Sequence, residues 1–247
     1  MTRTILIVTL CILQFVATFG QPPPDPRPLE EIIPGNSLIA SPEALLRARG
    51  LRQMVTAQGT CNPNVCFALD GSGSVSEGEF EAQRDFVTLV AAIVGADTDA
   101  AFAAVQYGLR NIAISSLTND VDSFLLDVDA SELARADRSF IAAGLGFCIN
   151  ELRPRPEDAN KIVLIGDGES NFGGNPIPIA RRFRQPRGNG AICAVGIGFR
   201  NLRVLRRITG SRSRVLDIDE FFELLDILDQ VVFEICDFAA ATPAPAT

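Results

Sequence analysis

Two short stretches carry residue types able to do chemistry. In "CFALDGSGSVSEGEF" (66–80) an apolar run ends on Asp70, and Ser72, Ser74 and Ser76 follow among Gly71 and Gly73. In "KIVLIGDGESN" (161–171) a second apolar run ends just ahead of Asp167. A carboxylate and alternating hydroxyls on a turn relieved by glycine suit three tasks: cradling a phosphate, activating a serine nucleophile, or caging a small divalent cation with hard oxygen ligands. The chain contains no histidine, which removes a Ser-His-Asp hydrolase, a His-ligated zinc centre and a histidine general base. No nucleophile and base can be assigned, so no enzymatic activity is expected. The phosphate reading is weak. "GSGSVS" lacks the third glycine of G-x-G-x-x-G, and the carboxylate of Asp70 would repel a pyrophosphate there. Phosphorylation of a strand-end aspartate would want a second acid two residues on and a lysine downstream. Position 72 is serine, and Lys161, the single lysine, begins a strand at the far side of the sheet. The cation reading fits best. Mg2+, or Mn2+ or Ca2+, takes oxygen ligands; Asp70, Ser72 and Ser74 can turn three oxygens inward and Asp167 adds a second negative charge.

The elements that must bring the two aspartates together are legible from patterning. "VCFALD" reads as a strand, followed by a helix from about Glu77 to Val94, because Ser76 and Glu79 form a capping box ahead of Phe80, Phe86, Val87 and Val90. "AAFAAVQYG" and "NIAISSL" read as a hairpin turning at Gly108, Leu109 and Arg110. "DVDSFLLDVDA" and "FIAAGLGFCINEL" read as helices. "KIVLIGDG" is apolar throughout and so belongs to a strand buried on both faces. A helix "IPIARRFR", a strand "AICAVGIG", a helix "LRVLRRITG" closed by Gly210, a strand "RVLDI" and a final helix "DEFFELLDILDQVVFEI" complete the series. Strands alternating with helices imply an α/β domain with a mostly parallel sheet covered on both faces. Its working crevice lies beyond the carboxyl ends of the strands, where strand order reverses. If the strands ending near Asp70 and Asp167 are neighbours there, their oxygens converge.

Outside this region the chain has other uses. Residues 1–20 have a basic Arg3, an apolar stretch and small residues near Gly20, which reads as a secretory signal peptide. The apolar run falls short of the roughly 20 residues a membrane span needs, so a secreted, extracellular protein without a membrane span is expected. Residues 21–60 hold a proline-rich spacer and a short amphipathic helix in which Ser41 and Glu43 open a turn, with Leu45, Leu46 and Leu51 on one side; 239–247 is a flexible tail. Of the cysteines, Cys61 and Cys236 flank the patterned region 61–238, and a bridge between them would clamp its two ends in an oxidising compartment. Cys66, Cys148 and Cys193 lie in apolar patterns and read more readily as buried small hydrophobes, with a second bridge among them left open. The formal net charge of -8 argues against nucleic acid as a partner. Yet residues 181–214 contain ten arginines and no acid. They read either as solvated helix faces pairing with the acidic last helix or as a basic surface for matrix polysaccharide.

"DGSGSVS" after one apolar strand, "VLIGDGESN" after a second and "AVGIG" after a third resemble a von Willebrand factor type A (vWA) domain over about residues 61–238. The resemblance implies a Rossmann-like, doubly wound, six-stranded sheet with one antiparallel edge strand, matching the hairpin. It also implies a metal-ion-dependent adhesion site (MIDAS), in which Asp70, Ser72 and Ser74 match the family's Asp-x-Ser-x-Ser. Asp167 matches the later aspartate, with Gly166 in place of a threonine that matters little to the metal. Ser139 falls at the family's ligand threonine, flanked by Arg138 and Phe140 where relatives show a glycine-rich polar loop. The function so implied is capture of an Asp or Glu from an extracellular protein, completing the cation's coordination. In relatives the last helix can shift with the site's ligands; a bridge at Cys236 would restrict that motion here.

Overall fold

The computed structural model describes residues 28–29, 41–59, 61–96, 98–135, 138–153, 160–169, 173–185, 190–198 and 201–237. The expected leader (1–20) and tail (239–247), and most of the proline-rich spacer, lie outside them. Among the described residues no helix is long and apolar enough to cross a membrane.

The elements follow in the expected order. They are α1 Pro42–Gln58, β1 Asn64–Asp70, α2 Glu77–Val94, β2 Ala101–Tyr107, β3 Ile112–Thr118, α3 Val121–Asp129, α4 Ile141–Leu152, β4 Asn160–Gly166, α5 Pro176–Phe183, β5 Ala191–Ile197, α6 Leu202–Thr209 and β6 Val215–Ile218. A 3₁₀ helix Phe221–Ile227 then continues into α7 Leu228–Cys236. The strand order is β3-β2-β1-β4-β5-β6, parallel except for the antiparallel edge strand β3. β1, β2, β4 and β5 are buried along their whole length, whereas β3 alternates and is largely exposed. That difference is what central and edge strands require.

Alternation along the strands builds two cores. Val65, Phe67 and Leu69 of β1 face one side with Phe102, Val163 and Val195, under α1, α2, α3 and α7. Cys66 and Ala68 face the other with Val105, Tyr107, Ile162 and Ile192, under α4, α5 and α6. The same alternation settles the cysteines. Cys193 belongs to the first side and is a free, buried thiol, pushed up to about 12 chiefly by burial. Cys66 lies on the second, where Cys148 of α4 meets it in a disulfide. This second bridge corrects the reading of Cys66 and Cys148 as simple hydrophobes. Cys61–Cys236 is bridged as expected.

Two further departures are local. The final helix begins as a 3₁₀ segment, and Arg47 of α1 docks where it passes into α7. Its Nη1 donates to Leu225 O and its Nη2 to Asp226 O, both at 3.0 Å, while Nε pairs with Asp229 at 2.6 Å. In α1, Ser41 caps as expected by accepting from Ala44 N–H, but the buried face is Ala44, Ala48, Leu51 and Val55. Small residues there let α1 lie close on α2 and α7, and Leu46 is left 66% exposed. Lys161, buried at the start of β4, pairs with Asp237 at 2.6 Å, far from the carboxyl ends of the strands.

The 175-residue separation closed by Cys61–Cys236 makes it the larger contributor of the two bridges. Replacing both of its cysteines by alanine is expected to lower unfolding free energy by about 2–5 kcal/mol, measured by denaturant titration with the fold checked by circular dichroism. In the unaltered protein the Cys193 thiol should react with a thiol reagent only once the chain is unfolded.

Candidate metal centre at the switch of strand order

β1 and β4 are adjacent and parallel, and the chain leaves β1 through α2 on one face of the sheet and β4 through α5 on the other. Strand order therefore reverses between them. Asp70 and the Gly166–Asp167 corner flank the crevice this creates.

The β1 corner is held by its backbone. Gln83 of α2, fully buried, accepts from Asp70 N–H at 2.8 Å and donates to Asp70 O at 3.0 Å. Gly71 N–H donates to Tyr107 O at 2.9 Å. A Cβ at Gly71 would stand 2.3 Å from Gln106 Cγ, so glycine lets the turn lie against β2. Gln106 itself donates to Glu132 O and accepts from Ala134 N–H, tying the segment ahead of α4 to the same corner. Ser76 and Glu79 form the expected capping box and start α2 directly after the turn.

Within this frame Asp70 Oδ1 accepts from Ser72 N–H at 2.9 Å, and the Ser72 and Ser74 hydroxyls lie 3.0 Å apart. Asp70 is 2% and Ser72 7% exposed. The Asp70 carboxyl is pushed from 3.8 up to about 6, first by burial; bonds to Ser72 pull the other way and the nearby Asp167 pushes it further up. Asp167, half-buried, is also raised, again mainly by burial, although its Oδ1 accepts from Glu169 N–H at 2.8 Å. Its carbonyl accepts from Asn201 N–H at 2.7 Å, joining the start of α6 to the corner. Ser139 is 4% exposed and lies two residues before α4. Since α4 feeds the parallel strand β4, its start lies at the carboxyl end of the sheet. Phe140 fills the space against Gly173, whose added Cβ would come 2.0 Å from its ring.

The donor set fits a hard divalent cation. Two carboxylates that lose solvation share one crevice with clustered hydroxyls, and a cation offsets the cost of burying them. With two carboxylates present, hydroxyl oxygens would complete the set. Asp70, Ser72 and Ser74 would hold the ion from one turn, Asp167 from the facing corner, and Ser139 from the segment before α4.

Sequence reasoning missed Tyr107 and named Gly166 only as the residue in place of the family's threonine, yet both shape the site. Tyr107 ends β2 in register with Asp70, and its buried hydroxyl lies beside the Asp70 carboxylate while donating to Ile165 O at 2.7 Å. Gly166 is its complement: φ is +148°, and a Cβ there would stand 2.1 Å from Tyr107 Oη and 2.7 Å from Asp70 Oδ2. Glycine at 166 is thus the partner of tyrosine at 107, a pairing that no spacing within one motif reveals. Gly166→Ala should destabilise the protein by about 1–3 kcal/mol, read as a lowered Tm. Adding Tyr107→Phe should recover part of that loss; a double variant no better than the single would refute the steric pairing.

Comparison with known proteins gives the family. The von Willebrand factor type A domain model matches residues 64–230. Solved structures of similar fold include proximal thread matrix protein 1 (PTMP1) from the mussel byssus, at 20% identity and TM-score 0.63, covering 71% of this chain and 48% of that one. A form of PTMP1 described as having a zinc-occupied MIDAS motif matches at 21% identity and TM-score 0.62 over the same shares. BatB from Bacteroides thetaiotaomicron matches at 13% identity and TM-score 0.58, covering 71% of this chain and all of that one. The present chain spans about half the length of the mussel structures it matches. Comparison with curated proteins finds no significant match. With its fold, strand order and family-model match in agreement, the chain belongs to the von Willebrand factor type A domain family.

Proposed function

We propose that this domain is a secreted, divalent-cation-dependent protein-binding module that captures an Asp or Glu side chain of an extracellular partner. The observation that carries this reading is the desolvated Asp70 carboxylate, held beside the Ser72 and Ser74 hydroxyls and facing Asp167 across the crevice. When bound, the ion supplies an electrophilic position for an incoming carboxylate. The chain's own residues do the rest. Gln83 fixes the backbone at Asp70, the Ser72 N–H orients its carboxylate, and Tyr107 with Gly166 excludes water from beneath it. The zinc described in the MIDAS motif of PTMP1 supports a divalent ion at the corresponding place. Mg2+ is proposed here because the donors are hard oxygens, with Mn2+ or Ca2+ as substitutes. Two disulfides support an extracellular, oxidising setting. The last helix is held by Cys61–Cys236 and by Arg47, so the site is proposed to bind without a large shift of α7. No catalytic role is proposed.

Calorimetric titration of Mg2+ and Mn2+ into the purified chain should give saturable heat that Asp70→Ala abolishes; equal heats in both proteins would contradict the reading. Protons compete for the same oxygens, so ion binding should weaken as pH falls through about 6. The metal-free protein should behave oppositely. A carboxyl raised from 3.8 to about 6 contributes stability that is fully present below pH 3.8 and lost as pH rises through 6, on the order of 3 kcal/mol. Unfolding free energies measured from pH 4 to 7 with chelator should therefore fall, and saturating Mg2+ should flatten the decline.

A further inference from the structure

The cation centre leaves the arginines of residues 181–214 unused, and the structure shows where they go. In α5 the buried residues are Pro176, Ala180 and Phe183, and in α6 they are Leu205, Ile208 and Thr209. Arg181, Arg182, Arg203, Arg206 and Arg207 accordingly point outward, and Arg212 in the turn after α6 is exposed as well. The two helices pack side by side, joined by Arg184 donating to Arg207 O at 3.1 Å. Arg203 and Arg207 are a full turn apart on one face of α6.

Pairing with the acidic last helix accounts for little of this charge. Arg214 meets Glu234 at 3.1 Å, but Asp229 is taken by Arg47 from α1. Among the described residues no acid pairs with the six exposed arginines. Like charges so gathered repel one another on a chain whose net charge is -8, and a polyanion relieves that repulsion. The guanidinium of Arg184 already feels it, being lowered by burial first and then by Arg214 and Arg181.

The surroundings select among polyanions. An anionic membrane is best bound by a basic face that also offers large apolar side chains for insertion. The exposed large hydrophobics among the described residues are Leu46, Leu109, Ile112, Leu126 and Phe222, and none belongs to α5 or α6. Two disulfides point to an oxidising compartment, where nucleic acid is not the ordinary polyanion. Beside the basic face a groove of about 480 Å³ runs between α4 and α5, lined by Ile149, Ile179 and Phe183 with Arg153 and Arg182 on opposite banks. Apolar lining with flanking guanidinium forks suits sugar rings that carry sulfate groups.

We propose that the outward faces of α5 and α6, through Arg181, Arg182, Arg203, Arg206 and Arg207, together with Arg212 in the turn after α6, bind a sulfated linear polysaccharide at a surface separate from the cation centre. Binding here does not rest on the proposed capture function and needs no divalent ion. Heparin fragments titrated into the full chain are the probe, with unsulfated hyaluronan, duplex DNA and phosphatidylserine vesicles as competing arms. Heparin should bind, more weakly as salt rises, and at least tenfold more weakly to Arg203→Ala/Arg206→Ala/Arg207→Ala. These positions are exposed and alanine favours helix, so circular dichroism should show an intact fold. Arg181→Ala/Arg182→Ala on α5 should also weaken binding, and serves alone if the triple variant fails to fold. Chelator and Asp70→Ala should leave heparin binding unchanged, so this proposal and the capture function fail separately. Absence of heparin binding at low salt, equal affinity in the α5 variant, loss of binding with chelator, or tighter binding of DNA or vesicles would each overturn it.

Discussion

Burying a carboxylate at the end of a parallel strand costs several kcal/mol unless something offsets the charge, and Asp70 is buried with a second carboxylate close by. Its local bonds do not cancel that cost, because burial outweighs the hydrogen bond from Ser72 and leaves the group raised. Much of the surrounding structure serves to keep it there. Gln83 holds the backbone on both sides of the residue, Gly71 lets the turn press onto Gln106, and Gly166 makes room for the Tyr107 hydroxyl beneath. Buried polar contacts gathered around one unneutralised acid are what supports the proposal of a cation at this corner.

The sheet topology converts that local arrangement into a site. Because β1 and β4 are neighbours whose onward connections run over opposite faces, the turn after β1 and the corner after β4 meet across a crevice. Away from the crevice the structure is closed more firmly. Cys61–Cys236, Lys161 with Asp237, and Arg47 on the last helix tie together the start and end of the domain. The basic faces of α5 and α6 lie on one flank, apart from this closure, so a rigid frame carries two chemically distinct surfaces.

Most of the architecture was legible because it rests on local signals. The Ser76–Glu79 capping box fixed the start of α2, and unbroken apolar runs marked the central strands. The glycine turn at 108–110 set β3 antiparallel. The grouping of Asp70, Ser72 and Ser74 on one turn and of Asp167 on the facing corner was legible because Asp70 closes one apolar strand, Asp167 follows another, and the serines alternate with glycines in between. What escaped depends on pairs distant in sequence. The Cys66–Cys148 bridge follows from which face of β1 the sulfur occupies, and the Tyr107–Gly166 complement from strands that become neighbours only in the sheet. Arg47 reaches the last helix from some 180 residues earlier, and α1 packs through its alanines because they let two helices approach.

The most direct measurement is an anomalous difference map from crystals of this chain grown with Mn2+. The account predicts a peak within about 2.0–2.6 Å of oxygens from Asp70, Ser72 and Ser74, with Asp167 bonded to the ion directly or through water. A map with no peak in the crevice, while Asp70 stays buried and the turn unchanged, would contradict it.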